Sequence, residues 1–103
     1  MHDLISSTFA LHSRFNTAQG WMQAVRIFVE EKHEFFEAYR DGDIPHAAEE
    51  AADVLVTVVG MAMAAGVTEA QLNAAVQIVI DKNDGKTQET HYLCQHTGKI
   101  RRK

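Results

Sequence analysis

Two acidic clusters lie inside segments whose hydrophobic pattern predicts helices bordering a protein core. They are Glu30-Glu31-Lys32-His33-Glu34 and Glu49-Glu50-Ala51-Ala52-Asp53. Burying an ionised carboxylate without a partner is unfavourable, so such a group either takes up a proton or binds a cation. The second cluster leads into an apolar stretch, residues 54–65, which should be buried on most sides and leave Asp53 little exposed surface. Because the acids recur at helical spacing on two successive segments, we expect them to converge on bound metal.

Helical periodicity dominates the chain, and no segment alternates with period two for long. The loop signal Asp41-Gly42-Asp43 is followed by Pro45, which suits a first helical turn, and Gly66 suits the left-handed residue after a helix. Thr68 and Gln71 have the spacing of a capping box at the start of a further helix. We therefore predict helices at about 4–15, 21–40, 45–65 and 69–83, with a turn at 16–20 and a polar tail.

Length and composition predict one all-α domain, residues 1–103, resembling a four-helix bundle. A chain of 103 residues, 46% of them hydrophobic, can bury one core. It is also near the size at which oligomerisation often completes the burial. We therefore expect a homodimer or a homotetramer.

Charge and composition restrict the partners and the location. A net charge of -4 argues against a nucleic-acid partner held by bulk electrostatics, and the basic tail formed by Lys99, Arg101, Arg102 and Lys103 suits a lone phosphate better. The sole cysteine, Cys94, cannot form an internal disulfide, and no signal-peptide pattern opens the sequence. The longest apolar run is shorter than the roughly 20 residues of a membrane span. We expect a cytoplasmic protein without a membrane segment.

The two acidic clusters should face each other across one interhelical groove. Helices joined by a short loop pack antiparallel, which brings the turn at 30–34 level with the turn at 50–53. Each like-charged pair at about 4 Å costs on the order of 4 kcal/mol at an effective dielectric of about 20, and divalent cations would offset that repulsion. Oxygen ligands select hard ions such as Mg²⁺ or Mn²⁺ over zinc. Magnesium keeps waters and takes phosphate oxygens, which indicates a nucleotide polyphosphate as the remaining ligand.

Polar residues at the end of the fourth predicted helix complement such a site. Lys82, Asn83 and Lys86 lie close together in the sequence, where a cation and an amide could hold a phosphate. Each of them taken singly is also an ordinary polar residue near a helix C-terminus, where cations are favoured.

Several patterns resemble one known family. Glu30-Glu31-x-x-Glu34, followed after fifteen residues by Glu50-x-x-Asp53, resembles the metal-binding signature of the MazG-like all-α nucleoside triphosphate pyrophosphohydrolases. Asn83-x-x-Lys86 and Thr97-Gly98-Lys99-Ile100 resemble the family's phosphate-contacting positions and its late Gly-Lys segment. Phe9-x-x-His12-x-x-Phe15 resembles the first helix of the subgroup that acts on deoxynucleotides.

The resemblance implies a reaction and a set of site residues. The reaction is Mg²⁺-dependent hydrolysis of a (deoxy)nucleoside triphosphate between the α and β phosphates, giving the monophosphate and pyrophosphate. A water would attack the α phosphorus in line, and Glu30 or Glu31 would accept its proton. The implied metal ligands are Glu30, Glu31, Glu34, Glu50 and Asp53. The implied phosphate contacts are Asn83 and Lys86, with Lys82, His12 and Phe15 as further candidates for substrate binding.

Other interpretations of the same residues stay open. Glu30-x-x-His33 has the spacing of a di-iron carboxylate bundle, but the second Glu-x-x-His of that architecture is missing. A non-enzymatic helical interaction module would leave the acids solvated. His12 and the aromatic residues near it could stack on a base, although core packing is the default role at helical spacing. His91, Cys94 and His96 resemble a zinc site with one ligand too few.

Overall fold

The computed structural model describes residues 1–16 and 19–103, which form four helices and a short hairpin. The helices are α1 (His2–Arg14), α2 (Trp21–Arg40), α3 (Ile44–Ala64) and α4 (Glu69–Asp84), and the strands are β1 (His91–Leu93) and β2 (Ile100–Arg102). The predicted all-α class is confirmed. The tail, predicted only as polar, instead pairs β1 with β2 in antiparallel orientation. The predicted turn at 16–20 includes Thr17 and Ala18, which lie outside the described residues.

Within the described ranges, none of the helices combines the length and the apolarity that a bilayer crossing demands.

Capping interactions explain where α3 begins and ends and where α4 begins. The side chain of Asp43 accepts a hydrogen bond from the backbone amide three residues later at 3.1 Å, and Pro45 lies in the first turn, where its missing amide hydrogen would have no intrahelical partner. Gly66 follows α3 with a φ of +93°, which confirms its predicted left-handed role. The backbone amide of Thr68 donates to Gln71 Oε1 at 2.9 Å, and the amide of Gln71 donates to Thr68 Oγ1 at 3.1 Å, which confirms the capping box.

The chain divides into two compact units, residues 1–73 and 74–103. In the first unit, α3 packs mainly against α2 and also against α1. Small side chains dominate this core, so the helices approach each other closely. The buried residues are Ile5, Thr8, Ala24, Ala38, Ala47, Thr57, Val59 and Gly60.

Two expectations about burial are wrong. Asp53 is exposed, although the sequence predicted little exposed surface for it. The apolar stretch at 54–65 is also not buried on most sides, since Leu55 is 42% and Val58 is 45% exposed. The physical reason is that α2 and α1 cover only part of the circumference of α3 in a single chain.

The second unit contains most of α4 and the hairpin. The two strands pair residue by residue, in the register His91 with Arg102, Tyr92 with Arg101, and Leu93 with Ile100. The connecting loop is closed by two backbone hydrogen bonds, from the amide of Cys94 to the carbonyl of Lys99 at 2.8 Å and from the amide of Gly98 to the carbonyl of Cys94 at 2.7 Å. Gly98 has a φ of +73°, a conformation that glycine adopts without strain.

Candidate metal centre

Three carboxylates from α2 and α3 converge in the first unit. Each of Glu31, Glu50 and Asp53 contributes one carboxylate oxygen, and these three oxygens lie within 4.8 Å of one another. Only residues 41–43 join the two helices, so α2 and α3 form an antiparallel pair in which position 31 and positions 50–53 lie at similar distances from the loop. The helical hairpin therefore places these acids side by side.

Glu50 is largely buried, with 14% of its side chain exposed. Its Oε1 lies 3.1 Å from Nε2 of His46, one turn earlier on α3. Its Oε2 is buried without a hydrogen-bond partner in the described part of the chain. A buried acceptor in that state is costly, and a bound cation would satisfy it.

The environment of Glu31 disfavours its charged form. Partial desolvation raises the pKa of the Glu31 carboxyl above its usual 4.5, and the charge of Glu34, a hydrogen bond with the Glu34 side chain, and the charges of Asp53 and Glu50 raise it further. Glu34 is thus a neighbour of the cluster through Glu31, although it is exposed. Because the neighbouring acids raise the pKa of Glu31, the cluster carries more negative charge than nearby positive groups neutralise.

In the part of the chain that the structure describes, the one ion-pair partner of these three acids is His46, which contacts Glu50. Among residues 1–16 and 19–103, no lysine or arginine forms an ion pair with Glu31, Glu50 or Asp53. A hard divalent cation prefers oxygen ligands with an excess of negative charge. The cluster offers carboxylate oxygens alone, and one of them, Oε2 of Glu50, is buried without a hydrogen-bond partner in the described residues. The residues present therefore fit such an ion.

Glu30 is not brought into the cluster. It is exposed and lines a shallow groove on the outer face of α2 together with His33, Glu34 and Phe36. Its sequence neighbour Glu31 points about 100° away around the helix, which explains why only one of the two enters the interhelical groove. His33 also lies on this outer face, where its Nε2 is 3.1 Å from Glu37 Oε1. The Glu30-x-x-His33 pattern therefore does not build a di-iron site with α3.

The candidate substrate residues of α1 have different environments. Phe15 is 72% exposed at the C-terminal end of α1. His12 is half-buried, and a Cβ added to Gly60 of α3 would lie 3.8 Å from its Nε2 and 3.8 Å from Oε1 of Gln19. Gly60 is seven residues after Asp53, so it lies on the same face of α3 about 10 Å further along. The imidazole of His12 is therefore on the acid-bearing face of α3, whereas the ring of Phe15 extends into solvent.

The candidate phosphate contacts lie in the second unit. The Nζ of Lys86 donates a hydrogen bond to Oδ1 of Asn83 at 3.4 Å, and both side chains are exposed, as is Lys82. The predicted proximity of Asn83 and Lys86 is thus present. His91, Cys94 and His96 do not gather as metal ligands in the described residues, and His91 Nδ1 lies instead 2.7 Å from Oγ1 of Thr90.

One residue of the site escaped sequence reasoning. His46 contacts Glu50 across one helical turn, and the i, i+4 spacing of the two residues was visible in the sequence. Its significance depends on the burial of Glu50, which the sequence alone does not reveal.

Comparison with known proteins identifies the family. A family model, the MazG nucleotide pyrophosphohydrolase domain, matches residues 19–91. That range contains the carboxylate cluster, His46, Asn83 and Lys86, and leaves out His12, Phe15 and Lys99. Comparisons with curated proteins and with solved structures give no match. A family match over most of the chain, together with an all-α fold and paired acids on consecutive helices, shows that the chain belongs to the MazG nucleotide pyrophosphohydrolase family.

Proposed function

We propose that this protein hydrolyses a (deoxy)nucleoside triphosphate between the α and β phosphates, releasing the monophosphate and pyrophosphate, with Mg²⁺ as cofactor. The observation that carries the proposal is the convergence of Glu31, Glu50 and Asp53 within 4.8 Å in a chain of the nucleotide pyrophosphohydrolase family. Mn²⁺ has the same preference for oxygen ligands and is the alternative ion.

The three converging carboxylates, with Glu34 beside Glu31, are the proposed metal ligands. When bound, Mg²⁺ supplies positive charge that neutralises the triphosphate and the leaving pyrophosphate, and it acidifies a water for attack on the α phosphorus. Glu50 is held by His46, so one of its oxygens is fixed while the other stays free for the ion. Asp53 is exposed, which leaves the solvent side of the cluster open to substrate.

We assign proton acceptance to Glu31 rather than to Glu30. Glu31 lies in the cluster that would hold the ion, so its carboxylate is near the position where a water would attack. Glu30 lines the groove on the outer face of α2 together with Glu34, and it is not one of the three converging carboxylates. Asn83 and Lys86 are the proposed phosphate contacts, because an exposed ammonium and amide at hydrogen-bond distance can share one anion.

A second copy of the chain is part of the proposal. Leu55 and Val58 of α3 and Ile78 and Val79 of α4 are apolar yet about half exposed, which supports a homodimer or homotetramer that covers them. Light scattering coupled to size-exclusion chromatography measures this directly, and a monomer at micromolar concentration would contradict it.

Product analysis tests the reaction. The protein is incubated with a panel of canonical and modified nucleoside triphosphates and Mg²⁺, and pyrophosphate and orthophosphate are assayed separately. We expect pyrophosphate with at least one substrate, and a loss of at least 100-fold in Glu34→Gln and Asp53→Asn with the helical circular dichroism retained. Orthophosphate as the main product, or full activity in both variants, would refute the proposal.

A further inference from the structure

One face of the β1–β2 hairpin is strongly basic. Lys99, Arg101 and Lys103 are spaced two residues apart along β2 and its two ends, so their side chains lie on the same face. The backbone ladder continues one pair beyond each end of the strands, which keeps this alternation regular. These three cations, called the basic face below, span about 13 Å. Tyr92 pairs directly with Arg101 and therefore lies among them.

The basic face has no acidic partner within the described part of the chain. Among residues 1–16 and 19–103, none of its three cations forms an ion pair with a carboxylate, and all three are exposed. Residues 74–103 carry six lysines and arginines against three acids, whereas residues 1–73 carry four against eleven. The first unit of every further copy of the chain therefore presents a charge complementary to the basic face.

The hairpin also lacks a covering surface. None of residues 74–103 is buried, and Tyr92 is 47% exposed. Two short strands are marginally stable by themselves in water, and packing against a helix is one way in which such a pair is stabilised. The hairpin therefore needs a helix of suitable charge to lie against.

Helix α2 carries a groove with the required charge. The groove on its outer face has a volume of about 650 Å³ and is lined by Glu30, Glu34 and Glu37 beside Val29 and Phe36. Val29 is 49% and Phe36 is 55% exposed. Glu30 and Glu37 are seven residues apart, so they lie on one side of the helix about 10 Å from each other, a spacing close to that of the cations on the basic face. Neither belongs to the three converging carboxylates.

The basic side chains of the groove do not neutralise its acids. Lys32 lies over aromatic rings, with its Nζ 5.9 Å from the centre of the Phe28 ring and 6.0 Å from that of Phe36. It forms no ion pair with an acid in residues 1–16 and 19–103. His33 contacts Glu37 but is charged only when protonated. Three carboxylates against one lysine leave the groove negative.

We propose that the hairpin of one copy docks in the α2 groove of a second copy, with the basic face against Glu30 and Glu37 and with Tyr92 against Val29 and Phe36. A two-fold axis would relate two identical hairpin–groove contacts in the dimer. The inference names a contact within the homo-oligomer proposed above and does not depend on the reaction. A single-stranded nucleic acid would also match the basic face, but the excess of acids in the first unit repels a polyanion and attracts the hairpin of another copy.

Charge reversal tests the contact in the full chain. Self-association is measured by sedimentation velocity in a chelator, so that no metal bridges the acids. Arg101→Glu and Glu37→Arg should each weaken association about ten-fold, because every dimer contains the contact twice. The double variant restores opposite charges at the contact and should associate within about two-fold of the wild type. High salt should weaken association of the wild type.

Matched controls carry the same charge change outside the contact. Arg102→Glu alters the opposite face of the hairpin, and Glu49→Arg alters an exposed residue of α3. Each should change association less than about two-fold. Cross-strand contacts in the nuclear Overhauser spectrum show that each hairpin variant keeps β1 paired with β2.

Paramagnetic relaxation locates the docked hairpin. A nitroxide is attached through Gln95→Cys in a Cys94→Ser background, at an exposed position of the hairpin loop. This copy is mixed with an unlabelled-cysteine, ¹⁵N-labelled Cys94→Ser chain, so that only contacts between copies broaden the amide signals. We expect broadening within residues 29–37 of the ¹⁵N-labelled copy, and its loss when that copy also carries Glu37→Arg.

Several results would overturn the proposal. Equal losses in Arg101→Glu and Arg102→Glu, without recovery in the double variant, would indicate bulk charge only. An oligomer unchanged by Arg101→Glu, or broadening outside residues 29–37, would place the interface elsewhere. Displacement of the second copy by equimolar single-stranded oligonucleotide at physiological salt would make nucleic acid the occupant. A wild type that stays monomeric would also refute the docking, while pyrophosphate release by that monomer would leave the proposed hydrolysis standing.

Discussion

His46 contacts one oxygen of the Glu50 carboxylate: its Nε2 lies 3.1 Å from Oε1 of Glu50, one turn away on α3. The other oxygen, Oε2, is buried without a hydrogen-bond partner in the described residues. His46 is half exposed and Glu50 is nearly buried. The pair therefore orients a carboxylate that α3 presents to the acidic cluster. Groups that orient a metal ligand typically affect metal affinity by 10–100-fold.

Replacing His46 should lower the affinity for Mg²⁺ and leave the fold intact. We expect His46→Ala to raise the Mg²⁺ concentration needed for half-maximal pyrophosphate release about ten-fold, with a small loss in kcat at saturating Mg²⁺. His33→Ala is the matched control, because His33 makes an equivalent i, i+4 contact with Glu37 at 3.1 Å outside the cluster. Equal Mg²⁺ requirements in the two variants would show that His46 does not position Glu50.

The helices could be predicted from sequence because their signals are local. The capping box at Thr68 and the left-handed Gly66 act through neighbouring backbone groups, and both predictions are confirmed. The hairpin was missed because each strand has three residues, too few for an alternating pattern to emerge.

The arrangement of the acids could be predicted only in part. Helical spacing predicted that acids of α2 and α3 would converge, but the choice between Glu30 and Glu31 depends on how α2 is rotated against α3. That rotation is fixed by the packing of the whole core. The exposure of Asp53 likewise depends on which sides of α3 the other helices cover.

Neighbouring glutamates of α2 should differ in their effect on activity. Glu31 lies in the cluster and Glu30 lies on the outer face of the helix. We expect Glu31→Gln to lower kcat at least 100-fold, and Glu30→Gln to cause a loss at least ten times smaller. Steady-state pyrophosphate release at saturating Mg²⁺ measures both, and equal losses would contradict the position assigned to Glu30.

The acidic cluster should make the metal-free protein less stable as pH rises. Desolvation and the charge of Glu34 raise the pKa of Glu31 above its usual 4.5, so over the interval between 4.5 and the raised pKa the folded chain binds more protons than the unfolded chain. The free energy of unfolding therefore falls as pH rises through that interval. Urea denaturation in a chelator should show this slope in the wild type and a weaker slope in Glu31→Gln. A stability that rises with pH equally in both would refute the assignment.

Mg²⁺ should offset the loss of stability that the acidic cluster causes at neutral pH. Above its raised pKa the Glu31 carboxyl is charged, and an ion that binds only the folded chain stabilises it by mass action. We expect millimolar Mg²⁺ to raise the Tm of the wild type and to leave that of Asp53→Asn nearly unchanged. Differential scanning fluorimetry at neutral pH makes the comparison, and equal shifts in the two proteins would place the bound ion elsewhere.

Gly60 should be replaceable by alanine with a gain in stability. A glycine in a helix interior costs roughly 0.5–1 kcal/mol relative to alanine, and a Cβ here would meet Nε2 of His12 and Oε1 of Gln19 at 3.8 Å, an ordinary van der Waals distance. Gly60→Ala should therefore increase the free energy of unfolding by about that amount in urea titrations. An unchanged or lower free energy of unfolding would show that this position does not accommodate the added methyl group.

Cys94 should react with alkylating reagents at a lower pH than an ordinary cysteine. The pKa of the Cys94 thiol is lowered from 9.0 to about 7. The largest cause is a hydrogen bond from the side chain of Thr97, and backbone hydrogen bonds from Thr97 and His96 contribute less. Because the thiolate is the nucleophile, the rate of reaction with iodoacetamide should rise with pH and reach half its plateau near pH 7. Thr97→Val removes the largest of these contributions and should move the midpoint upward, towards the ordinary value, while Thr87→Val, outside the loop, should not. Since Cys94 is the only cysteine, mass spectrometry of the intact protein follows the reaction directly. A midpoint near pH 9 in the wild type would show that the loop does not stabilise the thiolate.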